Sequence, residues 1–118
     1  ADLVGVNLLR GVADGDLVAL DGGGSLVVPG AGRGRVFAVI HPRAVALHRT
    51  RPEGTPRNVW PARVAGLDDE GARVRVRTDG PPALVAEVTP AAVADLALAP
   101  GSEVWVSLKA TEITTYPA

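Results

Sequence analysis

Short apolar runs separated by Gly, Pro and Asp follow one another along the first half of the chain. Residues 17–20 and 25–28 flank a polar, glycine-rich segment, a pattern that predicts a β-hairpin with its turn at residues 21–24. Residues 29–34, which contain Pro and three Gly, are then expected to form a loop. The continuous apolar run at 36–40 predicts a strand buried on both faces.

The second half alternates more regularly between apolar and polar positions. Residues 59–65 predict a strand, in which Pro61 indicates an edge or a bulge because proline lacks the N–H that a ladder needs. Residues 73–77 alternate Arg and Val, which is typical of a half-buried strand, and 84–88 predict another. Residues 104–108 predict a last strand, which we expect to continue to Tyr116.

One short helix is predicted after residue 88. Thr89 is a good N-cap, and the proline that follows it suits the first helical position. Val93, Leu96 and Ala97 have the spacing of one helix face and are expected to face the core, and residues 99–101 are expected to end the helix.

This order of strands with one short helix predicts an all-β fold, a small OB-like barrel or two such barrels. Residues 50–56 are polar and contain two prolines, so we divide the chain into a first β lobe, 1–51, and a second barrel lobe, 52–118. Asn7-Leu8-Leu9 and Asn58-Val59-Trp60 each precede a hairpin pattern, a weak internal repeat that favours two related lobes.

Composition narrows the range of functions. Aromatic residues make up 3% of the chain and apolar residues 47%, so the core must consist of Val, Leu, Ala and Ile. The net charge of −1 offers no general attraction to nucleic acid, and we expect no such partner. Cysteine is absent, which excludes disulfides and thiolate metal sites. Because methionine is also absent, we expect the chain to be a piece of a longer protein.

The usual signatures of catalysis or metal binding are not found, and we predict no catalytic residue and no metal site. The sequence has no phosphate-binding Gly-x-x-x-x-Gly-Lys-Ser/Thr motif. His41 and His48 have no cysteine or clustered carboxylates with them, and the acidic residues 68–70 suit a hairpin turn. The arginines of 73–77 share one strand face, but stacking aromatics are missing there, so a solvated outer face is favoured over a nucleic-acid surface.

Four short motifs carry a resemblance to a known family. They are Thr55-Pro56-Arg57-Asn58, Thr89 before the helix, Leu98-Ala99-Pro100-Gly101, and Lys109-Ala110-Thr111-Glu112. In this order and spacing the chain resembles the TOBE domain, also called the Mop or molbindin-like domain, at the C-terminus of molybdate-transporter ATPases. The first half resembles the segment that follows the nucleotide-binding domain, with 40–47 similar to a family strand.

The resemblance implies a regulatory domain that binds molybdate or tungstate and performs no catalysis itself, with ATP hydrolysis in a missing ATPase domain. It implies a homodimer with the anion between paired domains, a link to the membrane subunits of an ABC importer through the ATPase domain, and a place at the cytoplasmic face of the membrane. The implied oxyanion-binding residues are Thr55, Arg57, Asn58, Thr89, Lys109 and Ala110.

The chemistry of these side chains suits an anion. A tetrahedral dianion offers only acceptors, so its site needs hydroxyl, amide, guanidinium, ammonium or backbone N–H donors. Lys109 is the single lysine among twelve basic residues, which suggests that a compact ammonium matters at this position.

A structural or interaction TOBE module that binds no oxyanion is the alternative. The family pattern has a small, flexible residue where this chain has Pro56, which lacks a backbone N–H. It often has a serine where this chain has Ala92. Both departures favour the alternative, whereas Arg57, Asn58 and Lys109 favour the oxyanion site.

Overall fold

The structure is a computed structural model that describes residues 2, 3, 5–54 and 58–118. Within these residues the chain forms strands, one α-helix and two 3-10 turns. The strands are β1 Asp2–Leu3, β2 Val6–Leu20, β3 Ser25–Ile40, β4 Ala46–His48, β5 Asn58–Asp69, β6 Val74–Asp79, β7 Leu84–Val88, β8 Glu103–Leu108 and β9 Ile113–Pro117. The helix α1 is Pro90–Asp95, the first 3-10 turn is Pro42–Ala44 and the second is Ala110–Glu112.

The strands form two antiparallel sheets, and each sheet includes one strand from the other half of the chain. One sheet has the order β1-β2-β3-β9 and the other β4-β8-β5-β6-β7. β4 leaves the first half of the chain to pair with β8, and β9 leaves the second half to pair with β3, where Ile113 is opposite Ile40. The predicted division into 1–51 and 52–118 stays a prediction. Each sheet contains strands from both sides of that boundary.

The all-β prediction with one short helix is confirmed, and the apolar residues of both sheets form a single buried cluster. Its largest fully buried side chains are Leu26, Ile40, Leu108, Val18, Val64, Val76 and Val106. Aliphatic side chains therefore fill the core, as the composition predicts. The expected continuous strand to Tyr116 is wrong, because the second 3-10 turn interrupts it and sends β9 to the other sheet.

The predicted loop at 29–34 is also wrong, because β3 continues through it. Gly30, Gly32 and Gly34 adopt positive φ angles of 74°, 88° and 100°, a region that glycine enters without a Cβ clash. Gly32 still pairs with Gly15, and the register shifts between Gly15 and Leu17. The glycines bend the strand without ending it.

The strand at 36–40 was predicted to be buried on both faces, and the structure shows one buried face. Val36, Ala38 and Ile40 are buried, whereas Phe37 and Val39 are half-buried. The other face of the sheet is therefore only partly covered.

The helix begins as predicted and ends earlier. The Thr89 hydroxyl oxygen accepts a hydrogen bond from the Ala92 N–H at 3.1 Å, which confirms the N-cap. Val93 and Leu96 pack against the core, but Ala97 does not, since the chain turns there with φ 51° and leaves it exposed. Leu98 is buried in its place.

Pro61 is accommodated at a local edge of β5. In β5, Pro61 pairs with Trp105 of β8, and pairing with β6 begins only at Arg63. The Val64 N–H donates to Ser102 on the β8 side, so strand alternation directs the Pro61 nitrogen to the unpaired side. The predicted edge is thus present, whereas the bulge of β5 lies between Val64 and Gly66.

The weak repeat in the sequence has a structural basis. Asn7 in β2 is opposite Ile40, and Asn58 in β5 is opposite Leu108. The residues that follow these partners, His41 and Lys109, precede the two 3-10 turns with nearly the same backbone angles, φ −70° and ψ 137° against φ −71° and ψ 136°. The two lobes thus repeat one strand pair and one turn.

Candidate functional site

Asn58 lies at the corner where the structure brings three of the predicted oxyanion residues together. It is buried, and its Nδ2 donates to the Val27 carbonyl at 3.1 Å while its Oδ1 accepts from the Val27 N–H at 2.7 Å. The carboxamide therefore behaves as a backbone segment would and joins β5 to β3. Since its oxygen and one of its two N–H donors bond to Val27, the clearest role of Asn58 is to position its surroundings.

Lys109 lies directly beyond this anchor. It follows Leu108, the register partner of Asn58, and precedes the second 3-10 turn with its side chain exposed. Ala110 is the buried residue of that turn, and the turn packs against β3, the strand that carries Val27. The structure thus brings Asn58, Lys109 and Ala110 into one corner, which we call the Asn58 corner.

The ammonium of Lys109 is available to a ligand as far as the described part of the chain shows. Its side chain makes no hydrogen bond to the 3-10 turn that it precedes. No carboxylate among residues 5–54 and 58–118 forms a salt bridge with it. An exposed cation held on a rigid strand end is able to bind an anion without first breaking an ion pair.

Thr89 directly follows β7 and caps α1. β7 packs against the first 3-10 turn, whereas the second 3-10 turn packs against β3. Among the described elements, no extensive contact joins β7 to the turn that Lys109 precedes. Thr55 and Arg57 lie outside the described residues, as does Pro56.

Asn7 builds a matching corner in the first lobe. Its Nδ2 donates to the Val85 carbonyl at 2.9 Å and its Oδ1 accepts from the Val85 N–H at 2.8 Å. We call Asn7, Val85 and His41 the Asn7 corner. The sequence pattern singled out Asn7 only as part of a repeat, because the partners of both asparagines are main-chain groups that no residue type identifies.

The arginines of β6 are offset by acidic neighbours. Arg77 Nε lies 3.1 Å from Asp68 Oδ2, and Arg75 Nε lies 3.6 Å from Glu70 Oε1. A further carboxylate, that of Glu87, faces Arg73 and Arg75 from β7. The predicted outer strand face therefore carries a network of ion pairs, and the positive charge of its arginines is largely compensated.

Trp60 lies close to Asn58, where its fluorescence can report on changes at the Asn58 corner. Its indole Nε1 is buried and has no hydrogen-bond partner among the described residues. Together with Asn58 and Val27, Trp60 lines a cavity of about 260 Å³. In the sequence, Trp60 stands only as part of the Asn58-Val59-Trp60 repeat, since a tryptophan in a strand pattern has many roles.

In the part of the chain that the structure describes, no group of three or more His, Cys, Asp or Glu side chains is placed to hold a metal ion. The described segments also contain no helix of the length and apolarity that a membrane crossing requires.

Comparison with protein families finds the TOBE domain, whose model matches residues 54–115. The molybdenum import ATP-binding protein ModC of Mycobacterium tuberculosis is 39% identical over 127 residues, which cover 100% of this chain and 34% of that protein. The molybdate/tungstate import ATP-binding protein WtpC of Pyrococcus horikoshii is 31% identical over 112 residues, 94% of this chain and 32% of that protein. The chain thus spans about a third of the length of these relatives.

A solved structure has the same fold. The cytoplasmic molybdate-binding protein ModG, in a form with molybdate bound, superposes with a TM-score of 0.81 over 95% of this chain and 96% of its own. The two sequences are 23% identical, so this likeness concerns the fold. It agrees with the predicted OB-like architecture.

Proposed function

The chain belongs to the TOBE domain family, and from this premise we propose that it is the regulatory oxyanion-binding domain of a molybdate-type ABC importer ATPase subunit. Its ligand is molybdate or tungstate. The domain does no chemistry itself, and ATP hydrolysis takes place in another part of the parent protein. Ligand binding reports that the cell is replete and slows import.

The observation that carries this proposal is the Asn58 corner. Two hydrogen bonds fix Asn58 to Val27, and Lys109, with an exposed side chain, follows Leu108, the register partner of Asn58. Ligand names of the relatives point the same way, since ModC and WtpC are named for molybdenum and for molybdate or tungstate import, and ModG was solved with molybdate. We assign Thr55, Arg57, Thr89 and Ala110 to the same ligand as a proposal that extends this corner.

We further propose that the binding unit is a homodimer. Thr89 follows the strand that packs against the first 3-10 turn, whereas Lys109 precedes the second 3-10 turn, which packs against β3; a site that uses both residues would draw Thr89 from the partner. In the parent importer the domain lies at the cytoplasmic face of the membrane, attached to the membrane subunits through the ATPase domain. Light scattering that detects only monomer at high micromolar concentration would overturn the dimer.

Calorimetric titration with molybdate, tungstate, sulfate and phosphate tests the function. Lys109→Ala and Arg57→Ala should each weaken molybdate or tungstate binding about ten- to a hundredfold, because a charge-assisted hydrogen bond contributes about 1.5–3 kcal/mol. Sulfate should bind more weakly than molybdate, since a fixed set of donors sized for the larger ion leaves longer hydrogen bonds to the smaller one.

Arg75→Ala is the matched control, because Arg75 is also a cation but is already paired with Glu70 and Glu87. It should change molybdate affinity less than twofold. An equal loss in Arg75→Ala and Lys109→Ala would show diffuse attraction in place of a site. Absence of any binding at millimolar oxyanion would overturn the proposed function.

A structural or interaction module is the second candidate, and one observation favours it. The Asn58 oxygen and one of its two N–H donors are bonded to Val27, which leaves fewer side-chain donors for a ligand than the sequence pattern implied. On this alternative the fragment self-associates with no change when oxyanion is added, so light scattering with and without molybdate separates the two candidates.

A further inference from the structure

We infer that only the Asn58 corner binds the oxyanion, and that the Asn7 corner is closed to anions by the side chain of Glu87. The inference rests on the proposed function and deepens it, because it fixes how many ions one chain binds and which lobe is structural. It follows from comparing two corners that share a backbone frame.

The two frames share their carboxamide hydrogen bonds, their strand register and the backbone angles before the turn. Each asparagine bonds through both ends of its carboxamide to one valine main chain, Asn7 to Val85 and Asn58 to Val27. Each is opposite the last strand residue before a 3-10 turn. We therefore look for a difference in ligand binding between the corners in their side chains.

Donor side chains are the first difference. The residue that precedes the turn is Lys109 at the Asn58 corner and His41 at the Asn7 corner, with the same backbone conformation. The residue before the asparagine is Arg57 in one lobe and Val6 in the other. An apolar side chain offers a dianion nothing in exchange for its hydration, so the Asn7 corner lacks the donors that the proposed site uses.

An internal carboxylate is the second difference. Glu87 lies two residues after Val85, and Pro29 lies two residues after Val27, so the two occupy matching positions. The Glu87 side chain is only 10% exposed. Its Oε1 lies 3.5 Å from Arg73 Nη1 and 3.8 Å from Arg75 Nη2.

These ion pairs lie beside the elements that form the Asn7 corner. Arg75 Nη2 lies beside Gly5, two residues before Asn7, at 3.9 Å from the position that a Cβ would take there. The first 3-10 turn, which His41 precedes, packs against the strand that carries Glu87. The nearby guanidiniums thus already bind a carboxylate of the chain, and an incoming dianion would be repelled by it. Pro29 brings no charge to the Asn58 corner.

Equilibrium dialysis of the whole chain with radiolabelled molybdate tests the inference. We expect saturation at one ion per chain, a ten- to a hundredfold loss of affinity in Lys109→Ala, and a change of less than twofold in His41→Ala. Both residues are exposed, so neither variant should unfold, and tryptophan fluorescence checks this.

The dialysis result separates a failure of this inference from a failure of the proposed function. Saturation at two ions per chain, or a loss in His41→Ala as large as in Lys109→Ala, would overturn the closed Asn7 corner and leave the proposed function standing. No bound molybdate in the wild-type chain would overturn the proposed function and this inference together.

Discussion

The Asn7 corner and the Asn58 corner have the same hydrogen-bonded frame and different exposed side chains. In both, a buried carboxamide replaces a strand neighbour and fixes a valine main chain of the other lobe. The side chains that project from these frames, His41 and Lys109, contribute nothing to that bonding. The frame therefore leaves its exposed positions open to differ, and a difference in ligand binding need not disturb the fold.

The lobes also differ in the connection that precedes the second strand of each repeated pair, which is β2–β3 in the first lobe and β5–β8 in the second. Arg35 of β3 and Glu103 of β8 hold matching register positions, opposite Val12 and Arg63. Before Arg35 the first lobe uses a glycine-rich bend, whereas before Glu103 the second lobe inserts α1. The second lobe thus gains a longer surface segment without a change in strand register.

The largest expected effect tests whether the two frames are equivalent. Asn7→Ala and Asn58→Ala should each destabilise the chain by about 2–4 kcal/mol, because each removes a buried carboxamide and leaves the N–H and C=O of a half-buried valine without a partner. Urea unfolding followed by circular dichroism measures both. Because the two carboxamides make the same bonds, we expect losses that agree within about 1 kcal/mol.

Arg43→Ala is the control for that measurement, since Arg43 is exposed in the first 3-10 turn and should change stability by less than about 0.5 kcal/mol. If one asparagine substitution proved silent while the other unfolded the chain, the frames would not be equivalent, and a comparison of ligand sites built on them would lose its basis.

Much of this architecture could be predicted from local patterns. Alternation gave the strands of the second lobe, and Thr89-Pro90 gave the helix start, because both depend on neighbours in sequence. The exchange of β4 and β9 between sheets could not be predicted, since it is decided by tertiary pairing. The strand through 29–34 could not be recognised either, because a glycine that bends a strand and a glycine that ends one look alike in sequence.

The candidate site was predictable only in part, for a similar reason. Lys109 stood out as the single lysine, and Asn58 as part of a motif. The bonds that occupy Asn58 go to the main chain of Val27, thirty-one positions away, and the main chain is the same for any residue type. Glu87 was not singled out, because a carboxylate opposite two arginines is identifiable only once strand register is known.

A smaller effect is expected where the connections differ. The bend of the first lobe has glycine at 30, 32 and 34, whereas the second lobe has Ala97 at φ 51°. Ala97→Gly should stabilise the chain by about 0.5–1 kcal/mol, because the left-handed conformation strains a residue with a Cβ. Ala94→Gly, within α1, should have the opposite sign and a similar size. If both variants lost stability equally in thermal unfolding, the proposed strain at Ala97 would be absent.

The smallest effect concerns the ion pairs at the matching positions Arg35 and Glu103. Arg35 Nη1 donates to Asp21 Oδ1 at 2.9 Å, whereas Arg63 reaches Glu103 at 3.4 Å. The hydrogen bond from Arg35 lowers the pKa of Asp21 from its ordinary value; desolvation opposes this shift, and the charges of Arg35 and Arg10 add to it. A carboxyl whose pKa is lower in the folded chain stabilises the fold above its unfolded pKa, near 4. That contribution is lost as the pH falls through the lower folded value.

Asp21→Asn should therefore lower the melting temperature at pH 7 by less than Ala97→Gly raises it. The difference from the unsubstituted chain should vanish in acid and shrink in 1 M salt. Glu103→Gln should have a still smaller effect at pH 7, because its ion pair is longer and more exposed. A loss in Asp21→Asn that persists unchanged below pH 3 would show that Asp21 acts through packing or hydrogen bonding of its uncharged form, and the electrostatic contrast between the two ion pairs would then be wrong.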